Sequence, residues 1–196
     1  STPTTLYAGT SGDGVFKSTS GGASWSATGS IANTNIQALA IHPTNGTIYA
    51  GTSSGVFLSS NGGTSWSGPV TGTAGTPIRT FAIDPVTPNT IYAGTGLATF
   101  GLGLTGGAGV LRTTDGGTNW TALGTTGLTN LGIQSLAIDP LTPATIYAGT
   151  SGGGVFKSID GGTNWTPTGT SAGGSAGPAT TISIVSGNNQ VGAVGQ

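Results

Sequence analysis

An all-β chain of four four-stranded units, set side by side as the blades of a β-propeller, is predicted by three observations. The phrase Thr47-Ile48-Tyr49-Ala50-Gly51-Thr52 returns at residues 90–95 and 145–150, with a near copy at 5–10. A Gly-Val-aromatic or Gly-Val-Leu strand follows each copy, and a glycine-rich turn ending in tryptophan follows that. The tyrosines fall at 7, 49, 92 and 147, so the spacings are 42, 43 and 55 residues. Such periods belong to repeat architectures whose unit is one small sheet.

Each unit reads as four short strands. The innermost runs over 36–41, 78–83 and 133–138 and stops at His42-Pro43, Asp84-Pro85 and Asp139-Pro140. The tyrosine phrase is the second strand. The third carries Gly14-Val15-Phe16, Gly55-Val56-Phe57, Gly109-Val110-Leu111 and Gly154-Val155-Phe156. The fourth follows Trp25, Trp66, Trp120 and Trp165. β-Branched and aromatic residues fill these segments, and Gly, Pro, Asn and Asp separate them. No segment keeps a 3.6-residue apolar period, which excludes a helical fold. A lone unit would leave both faces of its sheet apolar, and stacking around a ring buries them. Ala38, Ala40, Ala82 and Ala137 on the innermost strand suit a crowded centre.

The tryptophan turns read Ser18-Thr19-Ser20-Gly21-Gly22-Ala23-Ser24-Trp25, Ser59-Ser60-Asn61-Gly62-Gly63-Thr64-Ser65-Trp66, Thr113-Thr114-Asp115-Gly116-Gly117-Thr118-Asn119-Trp120 and Ser158-Ile159-Asp160-Gly161-Gly162-Thr163-Asn164-Trp165. Asp or Asn in a tight turn bonds backbone two residues on, and glycine supplies positive φ. These four copies resemble the Asp-box, or BNR repeat, Ser/Thr-x-Asp-x-Gly-x-Thr-Trp. The resemblance covers residues 1 to about 168. It departs at Ser20 and Asn61, where the acid is replaced, and at the position before tryptophan, which is Ser or Asn throughout. The family includes sialidases, xyloglucanases, sortilin-type receptors and photosystem-assembly factors. The resemblance implies a propeller whose boxes are structural and lie away from any active face, and it does not imply an activity.

The chain divides into a propeller over 1–168, a Gly/Ser-rich linker over 169–178 and a tail over 179–196. The first unit lacks an innermost strand, and Thr181, Ile182, Ser183, Ile184 and Val185 repeat the alternation of 37–41. This tail strand either closes the ring or is donated to a neighbouring molecule. In a rival reading, residues 182–190 resemble the opening of a bacterial Ig-like domain of the invasin and intimin kind. The third unit is longer by about ten residues around Leu97, Phe100, Leu102 and Leu104. Apolar residues in a long loop point to partner contact; the alternative is that they fold back over their own blade.

Charged residues make up 5% of the chain, the net charge is −1 and glutamate is absent. No electrostatic footprint for nucleic acid exists, and no apolar run approaches the roughly 20 residues of a membrane-spanning helix. Cysteine and methionine are both absent, which excludes disulfides. The Ser1 start fits a removed signal peptide or an excised fragment. Most titratable residues sit at repeat-equivalent positions: Asp115 with Asp160, His42 with Asp84 and Asp139, and Lys17 with Arg112 and Lys157. A single active site breaks the symmetry of a repeat, so these read as structural. Asp13 and Arg79 stand apart, and Arg79 replaces Gln37 and Gln134 on the innermost strand, where a small anion could be held. A glycosidase needs two carboxylates at defined separation, and a pair is hard to assemble here. The sequons at Asn45, Asn119 and Asn164 read as coincidences of the repeat.

The expectation is therefore a non-catalytic structural or self-assembly module of a secreted or cell-surface bacterial protein, such as a subunit of an extracellular filament. Self-association or another surface protein is its expected partner, without cofactor, metal, nucleic acid or membrane insertion. The alternatives are a glycan- or protein-binding module of an adhesin and, less favoured, a fragment of an Asp-box glycoside hydrolase.

Overall fold

A computed structural model describes residues 4–96, 98–100, 103–105, 107–168 and 182. Every regular element in it is a β-strand, and the strands form antiparallel blades in chain order. The first blade holds β1 (Leu6–Gly9), β2 (Val15–Ser18) and β3 (Ser26–Ala27). The second holds β4 (Ile36–Ile41), β5 (Ile48–Thr52) and β6 (Gly55–Ser59). Its fourth strand is reduced to one bridge, in which Leu58 and Ser67 exchange both backbone hydrogen bonds at 2.9 Å.

The third blade holds β7 (Ile78–Ile83), β8 (Ile91–Thr95), β11 (Val110–Thr113) and β12 (Thr121–Ala122), in the order β7-β8-β11-β12. Between β8 and β11, within the surplus of about ten residues, β9 (Ala98–Phe100) pairs antiparallel with β10 (Gly103–Thr105), with Phe100 opposite Gly103 and Thr99 opposite Leu104. The fourth blade is β13 (Ile133–Ile138), β14 (Ile146–Thr150), β15 (Val155–Ser158) and β16 (Thr166–Pro167). Among the described residues the first blade holds no inner strand like β4, β7 and β13 of the others, in line with the sequence before Thr5. Of the tail, only Ile182 is described, and it is in no strand; Thr181, Ser183, Ile184 and Val185 lie outside the described residues.

Successive blades pack in sequence, β1 of the first against the inner strand β4, β4 against β7 and β7 against β13. Among the described residues no strand of the fourth blade packs extensively on a strand of the first. The core is therefore three apolar layers, each between two successive blades. Val15 and Tyr7 of the first blade meet Ala50, Phe57 and Trp66 of the second. Tyr49 and Val56 of the second meet Ala93, Leu111 and Trp120 of the third. Tyr92 and Val110 of the third meet Ala148, Phe156 and Trp165 of the fourth. One face of each blade gives tyrosine and valine, and the opposite face of the next gives alanine, phenylalanine or leucine, and tryptophan.

The inner strands share one irregularity. Register shifts occur between Ile36 and Ala38, between Ile78 and Thr80, and between Ile133 and Ser135. Gln37, Arg79 and Gln134 are thus the extra residues of three equivalent β-bulges, which leave that residue out of the ladder. Freedom from pairing is why this position tolerates either Gln or Arg.

Close approach between blades demands glycine at two loops. Gly72 and Gly127 have φ of +85° and +80°, and a Cβ at either would collide with the carbonyl oxygen of Trp120 or Trp165 in the next blade. Trp120 and Trp165 in turn donate their backbone N–H to Thr71 and Thr126 at 3.0 and 2.9 Å. Gly127→Ala is expected to cost about 2–5 kcal/mol, from left-handed strain plus overpacking. Gly21→Ala, at φ +66° with open space around it, costs only the strain of about 1–2 kcal/mol. Urea unfolding of both variants checks the difference. The tryptophans divide the same way. Trp120 and Trp165 are each 3% exposed, whereas Trp25 is 43% exposed. Trp66 is half-buried, and Trp25 is the most exposed because among the described residues no blade packs over its turn. Trp165→Ala is expected to cost about 3–5 kcal/mol and Trp25→Ala far less, measured by the same titration.

Candidate functional site: the tryptophan turns and the blade faces

Each turn is closed by its own side chains. In the third blade the buried Thr113 hydroxyl donates to Asp115 Oδ1 at 2.7 Å and accepts the Gly117 N–H at 3.1 Å. Asp115 Oδ1 also accepts the N–H groups of Thr118 and Asn119, at 2.9 and 3.0 Å. Asn119 Nδ2 donates to Asp115 Oδ2 at 2.8 Å, and Trp120 Nε1 donates to the Gly117 carbonyl at 3.0 Å. Ser158, Asp160, Gly162, Asn164 and Trp165 repeat the scheme in the fourth blade.

The two departures from aspartate keep the key bonds. Asn61 Oδ1 accepts from the Ser59 hydroxyl and the Ser65 N–H, both at 2.9 Å, and Asn61 Nδ2 donates to Ser65 Oγ at 2.8 Å. Ser20 Oγ accepts the Ser24 N–H at 2.9 Å and lies 3.1 Å from Ser24 Oγ, while Gly22 N–H donates to Ser18 Oγ at 2.9 Å. Positions three and seven of the turn are therefore matched pairs: Asp with Asn twice, Asn with Ser, and Ser with Ser. The sequence shows both departures but not that they belong together.

The carboxylates are occupied by these turns. Hydrogen bonds from Asn119, then from Thr113 and Thr118, pull Asp115 down to about 2, and those from Asn164, Ser158 and Thr163 do the same for Asp160. Asp84 accepts Val86 N–H at 2.8 Å, Thr87 N–H at 3.0 Å and the Thr87 hydroxyl at 2.8 Å. Asp139 accepts Leu141 N–H at 2.9 Å, the main cause of its lowered pKa. Buried His42 bonds Asn89 Oδ1 through Nε2 at 3.1 Å, joining the second blade to the third. Asp13 is exposed and offers its backbone N–H to Thr10. Arg79 is exposed on its bulge and lies along Gly96.

Tyrosine carries the contact that sequence reasoning missed. The Tyr7 hydroxyl donates to the carbonyl of Gly62, in the tryptophan turn of the next blade, at 3.2 Å, and Lys17 Nζ reaches the same oxygen at 3.4 Å. Tyr49 donates to the Gly116 carbonyl at 2.8 Å. Burial, with Asp115 adding, pushes the Tyr49 phenol up to about 12. Lys17 pairs across the strands with Tyr7 and stands 5.6 Å from its ring centroid. Lys157 holds the same relation to Tyr147, again at 5.6 Å.

Two open clefts lie where blades meet. One of about 400 Å³ is lined by Lys17, Ser26, Thr28, Gly62 and Thr64, and one of about 370 Å³ by Leu58, Ser67, Pro69, Thr71 and Thr118. Among the described residues no three His, Cys, Asp or Glu side chains gather as a metal site would require. Of the apolar insertion, Phe100 and Leu104 sit on the β9–β10 hairpin, whereas Leu97 and Leu102 lie outside the described residues.

No protein-family model matches the chain, and no curated protein matches it in sequence. Solved structures do. An ancestral GH74 enzyme superposes with a TM-score of 0.74 at 31% identity, over 85% of this chain and 23% of that one. The GH74 xyloglucanase from Xanthomonas campestris gives 0.64 at 22%, over 83% and 28%. The extracellular domain of a one-component system from B. thetaiotaomicron gives 0.66 at 20%, over 88% and 21%. The chain spans about a quarter of the length of these relatives. Their fold is the β-propeller, and the four blades here are blades of that fold.

The turn carboxylates fix the response to pH. Asp115 and Asp160 are depressed on folding from 3.8 to about 2, so their contribution is complete above pH 4 and is lost as pH falls towards 2. Tyr49 is raised on folding from 10.0 to about 12, so its contribution is complete below pH 10 and is lost as pH rises through 12. The melting temperature is expected to stay level from about pH 5 to 9 and to fall on both sides. The double variant Asp115→Asn, Asp160→Asn should flatten the acid limb alone, as followed by calorimetry across that range.

Proposed function

We propose that this chain is a non-catalytic structural module of a secreted or cell-surface protein, that its tryptophan turns are Asp-boxes, and that its task is assembly. The observation that carries this is where the polar side chains go. Tyr7, Lys17, Tyr49 and His42 bind the neighbouring blade, and Asp84, Asp115, Asp139 and Asp160 hold turns. A glycosidase acid must keep its proton near neutral pH, whereas Asp115 and Asp160 are driven the other way. The extracellular setting is supported by the similarity to an extracellular sensor domain. Among the described residues no helix is long and apolar enough to cross a membrane. The apolar hairpin serves, on this reading, as a further contact with a neighbouring subunit or surface protein.

The polar cleft beside Lys17 favours a second reading, a glycan-binding module. A glycan array and a hydrolysis assay on xyloglucan, the substrate class named for one neighbour, separate the three. The module is expected to bind no glycan saturably and to release no reducing sugar. Saturable binding would establish the second reading, and hydrolysis would establish a glycosidase fragment.

A further inference from the structure

We infer that the exposed face of the fourth blade is a docking site for the first blade of a second copy of this chain. The inference deepens the assembly reading and rests on it. Inside the molecule one interface is made three times, and its two halves are distinct. The leading half is the tyrosine, the valine of the third strand and, in the first blade, Lys17. The receiving half is the alanine of the tyrosine phrase, the aromatic or leucine beside the valine, and the tryptophan turn.

Among the described residues the first and fourth blades each present one unfilled half. Val15, Val56 and Val110 are buried by the blade that follows, whereas Val155 is only half-buried. Tyr147 is likewise half-buried, and its hydroxyl has no hydrogen-bond partner among the described residues. Lys157 waits beside it with the geometry that Lys17 has when it grips Gly62. At the other end, Ala50, Ala93 and Ala148 are buried by the blade that precedes, whereas Ala8 is half-buried. Phe57, Leu111 and Phe156 are buried, whereas Phe16 is half-buried and Trp25 is exposed.

The two halves are chemically complementary because they are copies of halves that already fit. The Gly21 carbonyl stands in the first turn where that of Gly62 stands in the second, so Tyr147 and Lys157 would take it as Tyr7 and Lys17 take Gly62. The contact is head to tail. Two such contacts between two copies give eight blades, within the usual range of four to eight. The molecule's own first blade does not fill this face, because among the described residues no strand of the first blade packs extensively on one of the fourth.

The test uses the full chain and two face variants. Ala8→Arg blocks the receiving half and Val155→Arg the leading half. Sedimentation of the unmodified chain from about 1 to 100 μM is expected to show at least twice the 18.8 kDa of one chain. Each variant alone should fail to form that species while keeping its far-UV spectrum and melting transition. Mixed in equal amounts, they should form a heterodimer, because the intact leading half of one meets the intact receiving half of the other. Acrylamide quenching of Trp25, read as the difference from Trp25→Phe, should fall severalfold on association. Tyr147→Phe should weaken each contact roughly fivefold by removing one hydrogen bond, and the two-contact dimer by about the square of that. A chain that stays at 18.8 kDa overturns the inference, as does association indifferent to both arginines or folded variants that do not complement. None of these outcomes bears on glycan binding or hydrolysis, so the assembly surface and the non-catalytic reading fail separately.

Discussion

A small β-sheet with two apolar faces cannot bury either by itself, and the rest of this molecule follows from how that surface is covered. Ile91 and Ile146 are fully buried, and the layers around them are closed by side chains from two blades at once. The repeated residues are therefore repeated for a reason outside their own blade. Tyrosine must find a carbonyl in the next tryptophan turn, and alanine must leave room for the valine of the blade before. Stability of such a stack is a sum of unit and nearest-neighbour terms. A chain with so few charges can be held together this way because nearly every favourable term is apolar burial or a neutral hydrogen bond.

The tryptophan turn serves two purposes, which explains its tolerance of substitution. Within its blade it is a knot of side-chain bonds; between blades it is the knob that the preceding tyrosine grasps by a carbonyl. The second purpose depends on backbone position alone. Any side chain that holds the turn in shape is adequate, provided its partner four residues on is chosen to match. Asp115 with Asn119, Asn61 with Ser65 and Ser20 with Ser24 are three solutions to one geometric demand. The acid adds charge-assisted bonds, and with them the sensitivity to acid that Asn61 and Ser20 lack.

Much of the fold was legible in the sequence because the repeat displays it four times. Strand order, the missing first inner strand and the place of the insertion could all be read from spacing. What could not be read lies in contacts that span blades. Tyr7 and Gly62 are 55 residues apart and Tyr49 and Gly116 are 67 apart. Recurrence of tyrosine says that it matters, but not which carbonyl it meets. Arg79 looked singular because it breaks a Gln pattern; the bulge shows that the position is simply free of the ladder. The insertion looked like a long loop, yet residues 98–100 pair antiparallel with 103–105. Trp25 stands at the same turn position as Trp165 and has a different burial, since burial here is decided by the neighbour.

A stack of identical interfaces has nothing to specify in its middle, so specificity must sit at its ends. The position that faces the tyrosine across the strands illustrates this. It is Leu58 and Arg112 in the two middle blades and lysine in the two outer ones, with Lys17 and Lys157 in the same relation to their rings. Leu58 can be afforded where Tyr49 is wholly buried and its hydroxyl already satisfied. Lysine suits a face that must live in water until it is covered, because its stem lies on the ring while its ammonium stays solvated. It then supplies a second donor to the docking carbonyl. The first blade displays the covered form of this pair and the fourth displays the open form. The same two side chains thus keep an exposed blade face soluble and define the one group, a turn carbonyl, that fits against it.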